Sequence, residues 1–177
     1  MSDKPIPESY WVLPGQFLAG EYPGLRFDEA QTRQRLTAFL DAGFDTFIDL
    51  TSANERLPYD PMLRDEAGYY GNKVRHWRFP FPDFHAPSHQ TMAATLDAID
   101  TALSEGHKVY LHCVGGIGRT GTTVGCYLIR HGMKATDALR HLNELYTTAA
   151  QSAMVPHSPE ADEQIKFILN WVEHGLA

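Results

Sequence analysis

The chain has 177 residues, 43% of them hydrophobic, which suits one compact domain with its own core. Fifteen Lys+Arg against 22 Asp+Glu leave a charge of −7 with histidine neutral, so a nucleic-acid footprint is not expected. A small phosphorylated ligand is not excluded, because local backbone groups and a single arginine are enough to hold it.

No composition shift, long Gly/Ser linker or internal repeat divides the chain, which predicts a single domain over residues 1–177 with a core at about 10–172. Residues 1–17 lack the apolar run of a signal peptide, and no later run is long enough to span a membrane. Cys113 and Cys126 are too few for a disulfide framework. A reducing, cytoplasmic setting without membrane insertion fits these features, and nothing indicates an oligomer.

The stretch 9–24, rich in Pro, Gly and aromatics, predicts one short strand at about 17–19. Asp28 is placed to cap a helix whose apolar face is Leu36, Phe39 and Leu40, ended by Gly43. Residues 44–50 read as a buried strand, residues 52–59 as a polar loop, and residues 74–79 as another strand. A loop with three prolines follows over 80–87. Ser88 then caps a helix with Met92, Leu96, Ile99 and Leu103 on one face.

Residues 108–113 form a short apolar strand, and a buried helix runs from about Arg119 to Arg130, stopped by Gly132. Thr136 is expected to cap the next helix, with Leu139, Leu142 and Leu145 inward. Ser158-Pro159 should start the last one, with a stripe of Ile165, Ile168, Leu169 and Val172. Strands interleaved with helices predict an α/β sandwich.

The chemistry concentrates in His112-Cys113-Val114-Gly115-Gly116-Ile117-Gly118-Arg119-Thr120. A strand ends at Cys113, three glycines let the backbone curl, and a helix begins near Arg119. Such a turn points successive N–H groups into one concavity, to which the helix dipole adds positive potential. The concavity suits a phosphate dianion, and the same field favours a nucleophilic thiolate at Cys113. Arg119 offers a planar fork for two phosphoryl oxygens. Thr120 offers a hydroxyl near the sulfur, suited to stabilising the thiolate as a leaving group. The competing reading, a glycine turn around a structural cysteine, uses neither Arg119 nor Thr120. A Walker-type loop is excluded, because no Gly-Lys-Ser/Thr follows.

The string, a cysteine followed by five residues, an arginine and a threonine, resembles the signature of the protein tyrosine phosphatase superfamily. Residues 10–172 are similar to its compact dual-specificity branch. The resemblance implies a mixed, mainly parallel central sheet flanked by helices. It also implies a phosphocysteine intermediate on Cys113, phosphate binding by Val114, Gly115, Gly116, Ile117, Gly118 and Arg119, and no cofactor. Phosphate-ester cleavage by a thiolate needs an acid for the leaving oxygen. Asp83, in Phe79-Pro80-Phe81-Pro82-Asp83-Phe84, is the best candidate and resembles the family's mobile acid loop. The flanking prolines and aromatics are expected to shield it and hold it protonated. Asp49 and Glu55 are weaker contenders, Asp49 as a structural group and Glu55 as one facing substrate.

His112 corresponds to a family histidine that orders the loop, and Gln164 resembles a glutamine that positions the hydrolytic water. A helix-surface glutamine is the other reading of Gln164. Cys126 reads as a small core residue. The nine histidines show no ligand spacing, so no metal is expected, and most read as surface or loop residues. The substrate implied is a phosphorylated protein or peptide carrying phosphotyrosine and also phosphoserine or phosphothreonine. A phosphoinositide or inositol-phosphate substrate is the alternative, opposed by the absence of cations among residues 114–117, although Arg56, Arg75 or Arg78 could compensate. An RNA 5′-phosphatase fits the acidic chain poorly. An inactive phospho-binding module would lack the cysteine, the arginine or the acid, and all three are present.

Overall fold

A computed structural model describes residues 4–173. Its centre is a five-stranded sheet built from β1 (Ser9–Leu13), β2 (Phe17–Gly20), β3 (Thr46–Asp49), β4 (Arg75–Arg78) and β5 (Val109–His112), in the order β1-β2-β5-β3-β4. The β1–β2 pair is antiparallel, and β2–β5, β5–β3 and β3–β4 are parallel. The mixed, mainly parallel sheet that the resemblance implies is therefore present.

Side chains on successive strand residues alternate between faces, and each face builds its own core. Leu18, Phe47 and Tyr110 pack with Leu36, Phe39 and Leu40 of α1 (Glu29–Asp41) and Leu63 of α2 (Asp60–Tyr69). On the other side Phe17, Ala19, Ile48, Val109 and Leu111 face α3 (His89–Ser104), α4 (Gly118–Arg130), α5 (Ala135–Tyr146) and α6 (Asp162–Leu169). Asp28 and Ser88 cap α1 and α3 as expected, their side chains accepting from the N–H groups of Gln31 and Thr91.

Five readings of the chain change. β1 lies in the stretch read as irregular, and α2 follows the polar loop, its buried face reduced to Leu63 and Ala67. Thr136 sits inside the first turn of α5, whose cap is Lys134 without a side-chain bond. The fully buried positions of α5 are Ala138, Leu142 and Tyr146, and Leu139 and Leu145, expected inward, pack against the core only partly buried. Finally, α6 begins at Asp162, because Ser158 is engaged elsewhere. Its N–H donates to Asn143 Oδ1 at 3.0 Å and its hydroxyl to Ile117 O at 2.8 Å. Gln164, Ile168 and the following Trp171 face inward, whereas Leu169 and Val172 are exposed.

Small residues on α4 set the spacing of this layer. A Cβ on Gly121 would stand 2.1 Å from Ser158 Oγ, and one on Gly125 would stand 2.7 Å from Ile168 Cδ1. The two glycines, one helical turn apart, let the segment 158–168 lie directly on α4. Among the described residues no helix is long and apolar enough to cross a membrane.

Candidate active site

The parallel strands β3 and β5 end side by side at Asp49 and His112, and the site grows from that edge, where ligands of parallel sheets bind. Cys113 follows β5 at 2% exposure. The next residues turn back into α4 through Gly116, whose φ of +71° is open to glycine. A Cβ there would also lie 2.3 Å from the carbonyl carbon of Gly20, so the loop rests on the end of β2.

The loop carbonyls are drawn outward. Val114 O accepts from Tyr22 N at 2.9 Å, Gly115 O from Gln151 Nε2 at 3.1 Å, and Ile117 O from the Ser158 hydroxyl. The N–H groups from Val114 to Arg119 have no acceptor among the described residues. A ring of unpaired amides at the start of a 13-residue helix is an anion cradle. Beside it, the Thr120 hydroxyl donates to Cys113 Sγ at 3.1 Å, as its position in the sequence led us to expect.

Arg119 is fully buried. Glu55 takes both ends of its fork, with Nη1–Oε2 at 2.9 Å and Nη2–Oε1 at 2.5 Å. The carbonyls of Leu50 and Phe81 add contacts at 3.4 and 3.3 Å. Hydrogen bonds from Arg119 hold the Glu55 carboxyl below its ordinary value. Arg119 Nε has no hydrogen-bond partner, and Asp83 Oδ1 lies 3.4 Å from it. The loop 80–87 thus brings Asp83 beside the arginine.

The shielding expected around Asp83 is not there. Its side chain is 46% exposed. Phe84, at a φ of +61°, is also exposed, while Phe81 is buried and Phe79 packs partly buried against the core. The loop is instead fixed from α6. Glu163 accepts from Ala86 N at 2.9 Å and pairs with His85 Nδ1 at 3.1 Å, and Gln164 Nε2 donates to His85 O at 3.1 Å. Glu163 was missed in the sequence, since nothing there marks a helix-surface glutamate as a tether. Gln164 is not a surface residue. It is fully buried, a Cβ on Gly118 would stand 2.8 Å from its Oε1, and that oxygen has no partner.

Beneath the cradle lies a buried network. His112 Nδ1 meets the Cys113 carbonyl at 3.1 Å, which can only accept, so Nδ1 carries the proton and Nε2 accepts from Tyr59 Oη at 2.7 Å. Burial pushes His112 down to about 4, leaving it neutral. Asp49 accepts from Thr51, His76 and Arg78. Burial alone would raise its carboxyl, yet the bonds from His76 and Thr51 hold it well below the carboxylate range. Asp49 is a structural hub, in line with its reading from sequence. Cys126 is buried in α4, where burial pushes its thiol up.

Among the described residues no group of three or more His, Cys, Asp or Glu could hold a metal ion. His107 is no loose surface histidine, since it bridges Asp45 at 2.7 Å and Arg75 at 2.6 Å. His174 lies outside the described residues.

The fold and the turn between β5 and α4 define a compact member of the dual-specificity-like protein tyrosine phosphatases. The family model "Tc-R-P: Polymorphic toxin system, DSP-PTPase phosphatase" matches residues 24–133, and the chain belongs to that family. It is 29% identical over 127 residues to the mouse dual specificity protein phosphatase CDC14B, covering 68% of this chain and 24% of that protein. It is 35% identical over 94 residues to the Arabidopsis thaliana phosphatidylinositol 3,4,5-trisphosphate 3-phosphatase and protein-tyrosine-phosphatase PTEN1, covering 52% and 22%. The chain thus spans about a quarter of the length of these relatives. Among solved structures, the active form of Tk-PTP superposes with a TM-score of 0.72 at 23% identity, covering 94% of this chain and 99% of that one. At that identity the likeness speaks for the fold.

Proposed function

We propose that the chain is a cysteine-dependent phosphomonoester hydrolase acting on phosphotyrosine, phosphoserine and phosphothreonine in proteins, with residues 10–172 as its catalytic core. The unpaired amides of residues 114–119 around Cys113 carry this reading, since a converging ring of donors suits an acceptor and a phosphoryl group supplies three.

In the first step the Cys113 thiolate attacks phosphorus. The S–P bond forms as the P–O ester bond breaks, and Asp83 gives its proton to the leaving oxygen. The loop amides and Arg119 stabilise the equatorial oxygens. In the second step Asp83 accepts a proton from water as that water attacks phosphorus, and the sulfur leaves with the Thr120 hydroxyl bonded to it. The free Oε1 of buried Gln164, against the loop at Gly118, supports a role in orienting that water. His112 fixes the Cys113 carbonyl and moves no proton.

Initial rates on phosphotyrosine peptides, phosphothreonine peptides and phosphoinositides test this reading. Peptides should be hydrolysed, and faster than the lipid headgroups. A chain that hydrolyses only phosphoinositides refutes the protein-substrate assignment.

A further inference from the structure

The chain has ten arginines, and eight of them lie within 4.0 Å of a carboxylate. Arg26 and Arg56 are the exceptions: among the described residues neither has a carboxylate within that distance, and Glu21, the carboxylate that feels the charge of Arg56, is bonded to Arg35. Both line one cleft of about 490 Å³, together with Asn54, Glu55 and Leu57. In a chain of charge −7, two unpaired cations meeting in one cleft are poorly explained as a solvated surface.

Each guanidinium rests on an aromatic ring, Arg56 at 5.7 Å from the centroid of Tyr22 and Arg26 at 5.3 Å from that of Phe27. A cation–ring contact of this kind takes up none of the guanidinium's hydrogen-bond donors in an ion pair. The cleft also adjoins the phosphate cradle. Tyr22, beneath Arg56, donates its backbone N–H to Val114 O, and Glu55 in the cleft wall grips Arg119, which offsets its charge. Arg75 and Arg78, the other cations weighed for a polyanionic substrate, are taken by Glu105 and Asp49.

We infer that this cleft is a second anion subsite, which receives an acidic side chain flanking the phosphorylated residue of a peptide substrate. The inference rests on the phosphatase reading above. A peptide fits better than a lipid headgroup for three reasons. The cleft continues into a second one of about 230 Å³ that shares Arg26, Leu57 and Pro58. There the exposed Phe27 and Leu57 offer apolar contact, and the two lining carboxylates are already engaged, Asp28 by Gln31 N and Glu29 by Arg33. A polyphosphorylated headgroup also needs cations within the loop, where residues 114–118 have none.

The test uses the full chain carrying Cys113→Ser. Its probes are a phosphotyrosine peptide flanked by glutamates, the same peptide with glutamines, and a soluble inositol bisphosphate, with affinity read by calorimetry. The glutamate peptide should bind at least about tenfold more tightly than the glutamine peptide at low salt. Adding Arg26→Ala and Arg56→Ala should erase that preference, and Arg26→Glu with Arg56→Glu should reverse it. Absence of the preference, or its survival in these variants, overturns the subsite. So does an inositol bisphosphate that loses as much affinity as the acidic peptide. Hydrolysis of the glutamine peptide by the unmodified chain reads the phosphatase assignment separately. Hydrolysis without an acid preference sinks the subsite alone, whereas an arginine-dependent preference without hydrolysis upholds the subsite and sinks the phosphatase.

Discussion

Glu55 holds Arg119 by both ends of its fork, at 2.9 and 2.5 Å, from a loop that follows β3 rather than from the phosphate loop itself. The orientation of the arginine therefore depends on a residue 64 positions away in sequence. Glu55→Gln keeps the shape but removes the charge that fixes the fork. It should lower kcat/KM on an aryl phosphate by about 10- to 100-fold, the scale of a small misplacement of a binding group. The Glu55 carboxyl is held below its ordinary value of about 4.3. The pair is therefore complete above that value and is lost only as pH falls through the lower folded one. An activity change centred above pH 5 must come from another group. An unaltered rate in Glu55→Gln would show that Arg119 needs no such anchor.

Cys113→Ser should abolish turnover while phosphate affinity persists, because on the proposed reading the unpaired amides of residues 114–119 and Arg119 bind the anion without the thiolate. Arg119→Lys, by contrast, keeps the charge and loses the fork, at a cost on the order of 10² in rate. Steady-state rates and isothermal titration with inorganic phosphate check both variants. Turnover within tenfold of the unmodified chain would remove Cys113 from the role of nucleophile.

How much of this was legible in the chain follows from how local each signal is. The turn from Cys113 to Thr120 could be read because its glycines, its arginine and its hydroxyl lie within eight residues and are fixed by one strand and one helix. Asp28 and Ser88 could be read as caps for the same reason. The Arg119–Glu55 pair and the Ala86–Glu163 tether join segments 64 and 77 residues apart, and no short-range pattern encodes them. Helix α2 escaped notice because only Leu63 and Ala67 face inward, too weak a period to detect. The start of α6 was misplaced because Ser158 bonds to Asn143 and Ile117 across the fold, which overrides its local value as a cap.

Peroxide should inactivate the protein through Cys113 and leave Cys126 intact. Both thiols are buried, but Cys113 opens on the anion cradle, whereas Cys126 lies inside α4 at 0% exposure with its thiol pushed up by burial. Mass spectrometry after brief peroxide treatment locates the modified residue, and a thiol reductant should restore activity. Vanadate or phosphate should protect. Oxidation of Cys126 first, or no protection by phosphate, would count against the electropositive loop.

His112 makes the fold sensitive to mild acid. Its folded value, pushed down by burial to about 4, lies below the ordinary histidine value of about 6.5. The unfolded chain therefore takes up a proton first as pH falls. Stability from this group is complete above about 6.5 and is lost progressively toward about 4, roughly 2 kcal/mol of it by pH 5. Denaturant titrations at pH 7 and pH 5 measure the loss. His112→Gln should shrink that difference while lowering stability at pH 7, since Tyr59 Oη and the Cys113 carbonyl lose an ideal partner. An equal pH dependence in the variant would show that other groups carry it.

Asp83 is tested by the leaving group. It lies 3.4 Å from Arg119 Nε on a loop tied to α6, exposed enough to exchange protons with solvent. If it protonates the departing oxygen, Asp83→Asn should slow alkyl phosphates, whose leaving groups are strongly basic, far more than p-nitrophenyl phosphate, which departs without a proton. The expected gap is about 10² or more, the usual scale of general acid catalysis. Glu163→Ala, which frees the loop at Ala86 and His85, should reproduce the leaving-group dependence more weakly and add nothing to Asp83→Asn. Equal slowing of both substrates would remove Asp83 from the role of acid.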